Sequence, residues 1–327
     1  MPTIDDVARV AGVSKGTVSK VLKNYPNISD ATRDNVMRVV KELGYMPNVM
    51  ASHLSSKSSR RVALYVYIND AVQAIDEINM RYLFGAFQMA KELSLELVTC
   101  FNDSINHLSN EEFHAYFRSI GTEVIIVFGL NKDDEKMHYL LNHSNFKFVL
   151  VDAPIYDDKK SCVYIDHEKG QYDVAKTIVV PQDHILYLAG KKNGYVTDQR
   201  LLGMQRLQKD VGFEMDVVFA EFSEKFAFDV VMDRGELYDA IVCASDLMAI
   251  GCLKALKRKG VYRKLVGFDG ITLMAYAAQN VVTCKQDFTL LGKQAVDEAN
   301  RLLQNEKGRE VIVPYYIGNI DYRDIIS

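Results

Sequence analysis

The sequence predicts a small all-α head followed by a two-lobed α/β body, each lobe built on parallel strands. Three observations predict it. Cap residues and glycines divide the first 45 residues into three short helices. From residue 61 apolar strands alternate with helical stretches. The charge divides at the same place: residues 1–60 carry nine Lys/Arg against five Asp/Glu, a net +4, and residues 61–327 carry a net −8. A chain of 327 residues suits two or three domains, at ~100–200 residues each. With 48% hydrophobic and 25% charged residues, the composition is that of an ordinary globular protein.

Each helix of the head has its own start and stop. Thr3 precedes Ile4-Asp5-Asp6-Val7, where its hydroxyl can cap the first turn and two acids suit the positive end of the helix dipole. Ile4, Val7, Ala8 and Ala11 keep helical spacing, and Gly12 permits a turn. Ser14 caps a second helix, with Val18, Val21 and Leu22 on one face, and Pro26 ends it. Ser29 caps a third that runs to about Leu43, with Val36, Met37, Val40 and Leu43 inward, and Gly44 closes it.

Two crossing helices need a small residue at the contact, a glycine in the turn and apolar contacts on the second helix. Ala8, Gly12, Val18 and Val21 supply these at the right offsets for a helix-turn-helix. The second helix then presents Lys15, Gly16, Thr17, Ser19 and Lys20 outward. Cations and short hydroxyls suit phosphates and base edges in a major groove. A three-helix bundle with a merely solvated face fits the same pattern.

Thr3-Ile4-Asp5-Asp6-Val7-Ala8, Ala11-Gly12-Val13-Ser14 and Thr17-Val18-Ser19-Lys20-Val21-Leu22, with Gly44-Tyr45-Met46-Pro47-Asn48 beyond, resemble the DNA-binding domain of the lactose/galactose-repressor (LacI/GalR) family. The resemblance runs along the whole chain. It implies a helix-turn-helix domain over 1–46, a hinge helix and linker over 47–60, and an effector-binding, dimerising body over 61–327. Lys15 and Lys20 become the expected base contacts, with Gly16 allowing close approach. Thr17, Ser19 and Ser29 become phosphate contacts, Asn24 stands in after Lys23, and Leu54 is the minor-groove wedge. Ser52, His53 and Ser55 depart from the family's usual hinge residues.

In the body, strands are expected at 62–68, 95–100, 124–128 and 146–151, then at 185–189, 216–219, 240–243 and 265–268, with helices between. Repeated β-α units imply parallel sheets with ligand sites outside the strand carboxyl ends. This matches the family's periplasmic-binding-protein-like fold. An N-lobe is expected over about 61–161 plus 287–314, and a C-lobe over about 162–286 plus 315–327.

Motif matches give the effector contacts that the resemblance implies. Arg200 opens Arg200-Leu201-Leu202-Gly203, Asp269 ends Gly267-Phe268-Asp269, and Ser245 lies in Ala244-Ser245-Asp246. Asp152 follows the fourth strand. On sequence alone Arg200 also fits a helix-surface cation, and Asp269 a helix cap. Asp76-Glu77-Ile78-Asn79-Met80 stands where relatives carry an aromatic stretch, with Tyr82 and Phe84 as candidate replacements or core residues. The helix of roughly 288–304 lies near the dimer interface in relatives.

The partners expected are operator DNA read as a homodimer and a sugar or sugar-phosphate effector, with no membrane and no cofactor. A protein partner in place of the sugar stays open, as does a small-molecule binder without DNA function. No run approaches the ~18 apolar residues of a membrane span. The start, Met1-Pro2-Thr3-Ile4, does not read as a signal peptide, so a cytoplasmic setting is expected. Five cysteines form no CxxC pair and read as free thiols, and none of seven histidines has a strong metal spacing. No nucleophile elbow, P-loop or dinucleotide fingerprint occurs, so an enzyme is not expected.

Overall fold

The computed structural model describes residues 3–22, 25, 28–43, 60–67, 76–277 and 281–320. The chain divides into two compact units, Met1–Ser59 and Arg60–Ser327.

Among the described residues, the head holds α1 (Ile4–Ala11), α2 (Lys15–Leu22) and α3 (Asp30–Glu42). At the start of α1, the Asp6 N–H donates to the Thr3 hydroxyl at 3.3 Å and the Thr3 N–H donates to Asp6 Oδ2 at 2.9 Å, a reciprocal cap. Gly12 ends α1 at φ 67°, where a side chain would be strained, and its N–H donates to the Ala8 carbonyl. Ser14 Oγ accepts from the Thr17 N–H at 3.1 Å, and Ser29 caps α3. The core is Val7, Ala8, Ala11, Val18, Val21, Val36 and Val39. Each buried valine stabilises by roughly 1.5–3 kcal/mol, so so small a core depends on its caps. Met37, expected inside, is 48% exposed, and Val39 fills the core instead. Val36, Val39, Val40 and Leu43 share one narrow helical stripe, and Met37 sits a full 100° round from Val36.

The body alternates β1 (Arg61–Val66), α4 (Asp76–Leu93), β2 (Glu96–Phe101), α5 (Asn110–Ser119), β3 (Val124–Phe128), α6 (Glu135–His143), β4 (Lys147–Val151) and β5 (Lys160–Ile165). It continues with α7 (His167–Lys176), β6 (His184–Ala189), α8 (Tyr195–Val211), β7 (Glu214–Phe219), α9 (Glu224–Arg234), β8 (Ala240–Cys243), α10 (Asp246–Lys259) and β9 (Lys264–Asp269). It ends with β10 (Val282–Gln286), α11 (Phe288–Leu303), β11 (Glu310–Val313) and β12 (Tyr315–Asn319).

These strands form two six-stranded sheets, ordered β11-β5-β4-β3-β1-β2 and β12-β10-β9-β8-β6-β7. The ladders are parallel except for β12, which runs antiparallel to β10. The chain passes between sheets after β5, after β10 and between β11 and β12. The expected boundary at 161/162 falls inside β5, which pairs with β4 from Phe148↔Lys160 to Val151↔Val163 and completes the first sheet. The first lobe therefore runs on to Ile165, and the second begins with α7. In each sheet the strand order reverses at a central strand, so the open carboxyl ends of both sheets are natural ligand sites.

β3 and β4 lie almost entirely within the core, as continuous apolar runs in parallel sheets do. α11 is packed beneath α4 and against the first sheet, its apolar face buried from Phe288 to Leu302. The outer face of α4 leaves Met80, Phe84 and Phe87 at least half exposed. All five cysteines are buried and unbridged. No helix among the described residues is long and apolar enough to cross a membrane.

Candidate functional site

Two sites were expected, one in each unit. On the head, Lys15, Gly16 and Lys20 are exposed on α2, and Thr17 and Ser19 are half-buried beside them. Lys15 Nζ meets Asp5 Oδ2 at 2.8 Å, both side chains being more than half exposed. Such a pair contributes about 0–1 kcal/mol. A Cβ on Gly16 would meet nothing nearer than Ser14 Oγ at 3.7 Å, so packing within the head does not demand a glycine there. Gly16 lowers helix stability by ~1 kcal/mol against alanine. Ser29 is exposed, and its hydroxyl caps α3 through the Thr32 N–H. Asn24, Leu54 and the hinge stretch 47–57 lie outside the described residues.

In the body, Arg200, Asp269, Ser245 and Asp152 all line one cavity of about 730 Å³ between the lobes. Each reaches it for a local reason. Asp152 and Asp269 sit at strand carboxyl ends with φ of 62° and 119°, a conformation non-glycine residues adopt only when the surroundings impose it. Ser245 caps α10, its Oγ accepting from the Met248 N–H. Arg200 projects from the buried side of α8. Gly203, one turn on, lets α8 press against α7: a Cβ there would lie 2.2 Å from the Glu168 carbonyl oxygen.

Arg200 is 4% exposed, which removes the surface-cation reading. Its guanidinium lies 3.7 Å above the Phe268 ring centroid. It donates to the Ala244 carbonyl, to Asp269 Oδ1 at 3.3 Å and to His167 Nδ1 at 3.4 Å. His167 Nε2 meets Asp152 Oδ1 at 3.0 Å, and the Tyr82 hydroxyl donates to Asp152 Oδ2 at 2.6 Å. Gln286 Nε2 donates to Asp269 Oδ1 at 3.0 Å. Asp269 is thus a partner of Arg200 and Gln286; the loop after it is held instead by Asp246, which accepts from the Gly270 and Ile271 N–H groups at 2.7 and 2.9 Å.

Burial raises the Asp269 carboxyl to about 6, against the opposing pull of Arg200. Burial, then the Asp269 charge, raises Asp246 to about 8. Burial also acts to raise Asp152, but the bonds from His167 and Tyr82 and the nearby Arg200 charge outweigh it and hold it below the usual range. Burial pushes the His167 imidazole down, away from its charged form.

The 76–80 stretch gives the cavity Ile78 and Asn79, while rings come from Phe222, Phe226 and Tyr195. Glu221 and Phe222 take φ of 55° and 56°, so that wall too is a constrained turn. Tyr82 faces the cavity and Phe84 faces solvent. Thr197 Oγ1 and Gln286 Oε1 are buried on the lining with no hydrogen-bond partner among the described residues. Sequence reasoning missed His167, Gln286 and Phe222. A polyhydroxylated ring fits such a cavity: hydroxyls for the acids and amides, C–H faces for the rings.

The chain matches the family model "Bacterial regulatory proteins, lacI family" over residues 3–48 and a "Periplasmic binding protein-like domain" over residues 182–317. It is 26% identical to the transcriptional regulator CelR of Thermobifida fusca, covering 90% of this chain and 89% of that one. It is 27% identical to AscG of Escherichia coli K12, covering 87% of both. Among solved structures it resembles the Lac repressor dimer bound to operator and the anti-inducer ONPF, with a TM-score of 0.79 and 23% identity over 97% of each chain. It also resembles a CelR–cellobiose complex, with a TM-score of 0.69 and 23% identity over 97% of this chain and 98% of that one.

Proposed function

Because this chain belongs to the LacI/GalR family of bacterial transcriptional regulators, we propose that it binds a near-palindromic operator as a homodimer and represses a carbohydrate-utilisation operon in the cytoplasm, under control of a sugar in the interlobe cleft. The observation that carries the sugar reading is the convergence of Arg200, Asp269, Ser245 and Asp152 on one cavity at the strand ends of both lobes. The solved complex of CelR with cellobiose and that of the Lac repressor dimer with operator support the two halves of the reading.

An unphosphorylated sugar is favoured over a sugar phosphate. Asp152, Asp269 and Glu221 line the cavity, against Lys191 and an Arg200 already engaged by three partners. A phosphate entering there meets acceptors where it needs donors. The exposed face of α4, with Met80, Phe84 and Phe87, supports dimerisation through that helix, since α11 is packed beneath it. Two heads then read two half-sites, as twofold symmetry requires. In the head, Lys15 and Lys20 reach base edges, Thr17, Ser19 and Ser29 hold phosphates, and Asn24 and the Leu54 wedge complete the contact.

Sugar occupancy changes DNA affinity only through its different affinities for open and closed lobes. The test is operator binding by the full-length chain against random DNA, over a salt series, with and without glucose, cellobiose and their 6-phosphates. A steep salt dependence with a large specific preference supports the head assignment. A shift produced by the neutral sugars supports the cleft, and its sign separates inducer from corepressor. Equal affinity for operator and random DNA refutes the regulator reading. Tight operator binding that no sugar moves refutes sugar control.

A further inference from the structure

We propose that His167 is the positioning residue of the cleft: a neutral imidazole, its proton on Nε2, that aims Arg200 at the bound sugar and ties it to Asp152 of the other lobe. The inference rests on the reading of the cleft as the effector site.

Hydrogen-bond polarity fixes the tautomer. His167 opens α7 and is 1% exposed. Its Nδ1 faces Arg200 Nε and Nη2, each at 3.4 Å. A guanidinium only donates, so Nδ1 must offer a lone pair. The proton of the neutral ring is then on Nε2, which lies 3.0 Å from Asp152 Oδ1 and donates to it. The two ends of the ring thus agree. Asp152 follows β4 of the first lobe, whereas Arg200 lies on α8 of the second. The imidazole also lies 5.9 Å from the Phe268 ring that carries the guanidinium.

A second proton on the ring would enter at Nδ1 and point an N–H at Arg200. The facing groups come from every side: Arg200 on α8, Asp152 after β4 with Tyr82 of α4 behind it, Asp269 at the end of β9, and Asp166 capping α7. Burial first, and then Arg200, oppose the charged ring, while Asp152 and Asp166 favour it; the balance lies below the ordinary histidine value. Because the neutral form is the one that holds Arg200, sugar affinity is retained around neutrality and lost as pH falls through that lowered value. Asp269 titrates in the acid range as well, so the histidine's part is read as the difference between the protein and a His167 variant.

Two measurements on the full-length chain decide it. In the first, long-range ¹H–¹⁵N spectra of histidine-labelled protein are recorded across pH, with the signal absent from His167→Asn taken as His167. The expected pattern is a protonated Nε2 and a bare Nδ1. A proton on Nδ1, or titration at or above the ordinary value near ~6.5, overturns the proposal whether or not a sugar binds. In the second, calorimetry with glucose and cellobiose compares two substitutions. His167→Asn keeps an acceptor near Nδ1 and loses the bond to Asp152. His167→Gln keeps a donor near Nε2 and loses the acceptor for Arg200. We expect about tenfold or greater weakening for Gln and less than about threefold for Asn. Equal losses, or the reverse order, overturn it. Failure of the unsubstituted protein to bind either sugar refutes the sugar reading of the cleft, and the tautomer still decides the placement of Arg200.

Discussion

Lys15 and Lys20 are exposed on the head, Lys15 in an exposed ion pair with Asp5, whereas Arg200 in the body is 4% exposed and bonded to Asp269, His167 and the Ala244 carbonyl. The difference follows from the partner each site suits. A duplex brings its own charge and its own surface, so a helix with exposed cations is enough. A small ligand must be surrounded, so the cleft groups are desolvated before it arrives and must be stabilised by one another. Head residues should therefore be separable from stability, and cleft residues should not.

Arg200→Leu tests this most severely. It leaves Asp269 buried without its cation and removes a donor from Ala244. Breaking a buried pair in this way costs about 3–5 kcal/mol, and the sugar response should vanish with it. Urea unfolding of the full-length chain is the measurement. A loss no larger than that of a surface substitution, roughly 0.5 kcal/mol, would mean that the cleft does not stabilise itself through this arginine.

The next largest effect is a pH response of opposite sign in the two units. Asp246, raised to about 8 by burial and then by Asp269, keeps a proton that the unfolded chain has released above 3.8. Its contribution to body stability is therefore fully present in acid and lost as pH rises toward 8. Asp269, raised to about 6 by burial, loses its contribution earlier on the same climb. Asp6 of the head is lowered by the Thr3 backbone N–H and then by its hydroxyl, so its contribution is present above 3.8 and lost as pH falls. Thermal melts from about pH 2 to about pH 9 should show the head weakening in acid and the body weakening with alkali, and Asp246→Asn should flatten the alkaline slope. An unchanged slope in Asp246→Asn would locate the buried proton elsewhere.

The same contrast governs what could be read from the chain. The head is built from local rules: Thr3 with Asp6, Gly12 at φ 67° and the Val18/Val21 spacing all act within a few residues. Arg200 was legible because Gly203, three residues on, belongs to its motif and is needed for α8 to approach α7. His167 was not. Its partners are 15 residues back at Asp152 and 33 residues on at Arg200, and the polar start of α7 gives no sign that they meet. The expected boundary at 161/162 falls inside β5 for a similar reason: the place of β5 is fixed by pairing to β4 on one side and to β11, some 150 residues away, on the other.

Lys20→Ala carries a smaller effect and tests the head's side of the comparison. Stability should change by no more than about 0.5 kcal/mol, because the side chain is exposed. Operator affinity should fall by about 1–3 kcal/mol if Lys20 reads a base, or the salt slope should drop by about one if it holds a phosphate. Fluorescence anisotropy over a salt series separates the two. Intact affinity together with an intact slope would remove Lys20 from the interface.

Glu77→Gln is the smallest expected effect, and it bears on how the lobes are held. Glu77 of α4 reaches into the second lobe, where both carboxylate oxygens accept from the Thr272 N–H at 2.9 and 3.0 Å and Oε1 accepts from the Thr272 hydroxyl at 2.5 Å. Arg81 sits behind it, 3.5 Å from Glu77 Oε1 and 3.4 Å from Thr272 Oγ1. Thr272 opens a short 3₁₀ helix, and Ile78 and Asn79, beside Glu77, line the cavity. The 76–80 stretch thus supplies a link between the lobes at the cleft through Glu77. An uncharged amide keeps an acceptor but loses the charge assistance, a difference of about 1 kcal/mol at a half-buried site. If the cleft binds a sugar as proposed, that corresponds to roughly fivefold in affinity, and the change should appear as faster dissociation if the link holds the lobes about the ligand. Stopped-flow release of glucose or cellobiose measures it. A slower association with unchanged release would instead make Glu77 a barrier to entry, and the stability of the head should be indifferent to either result.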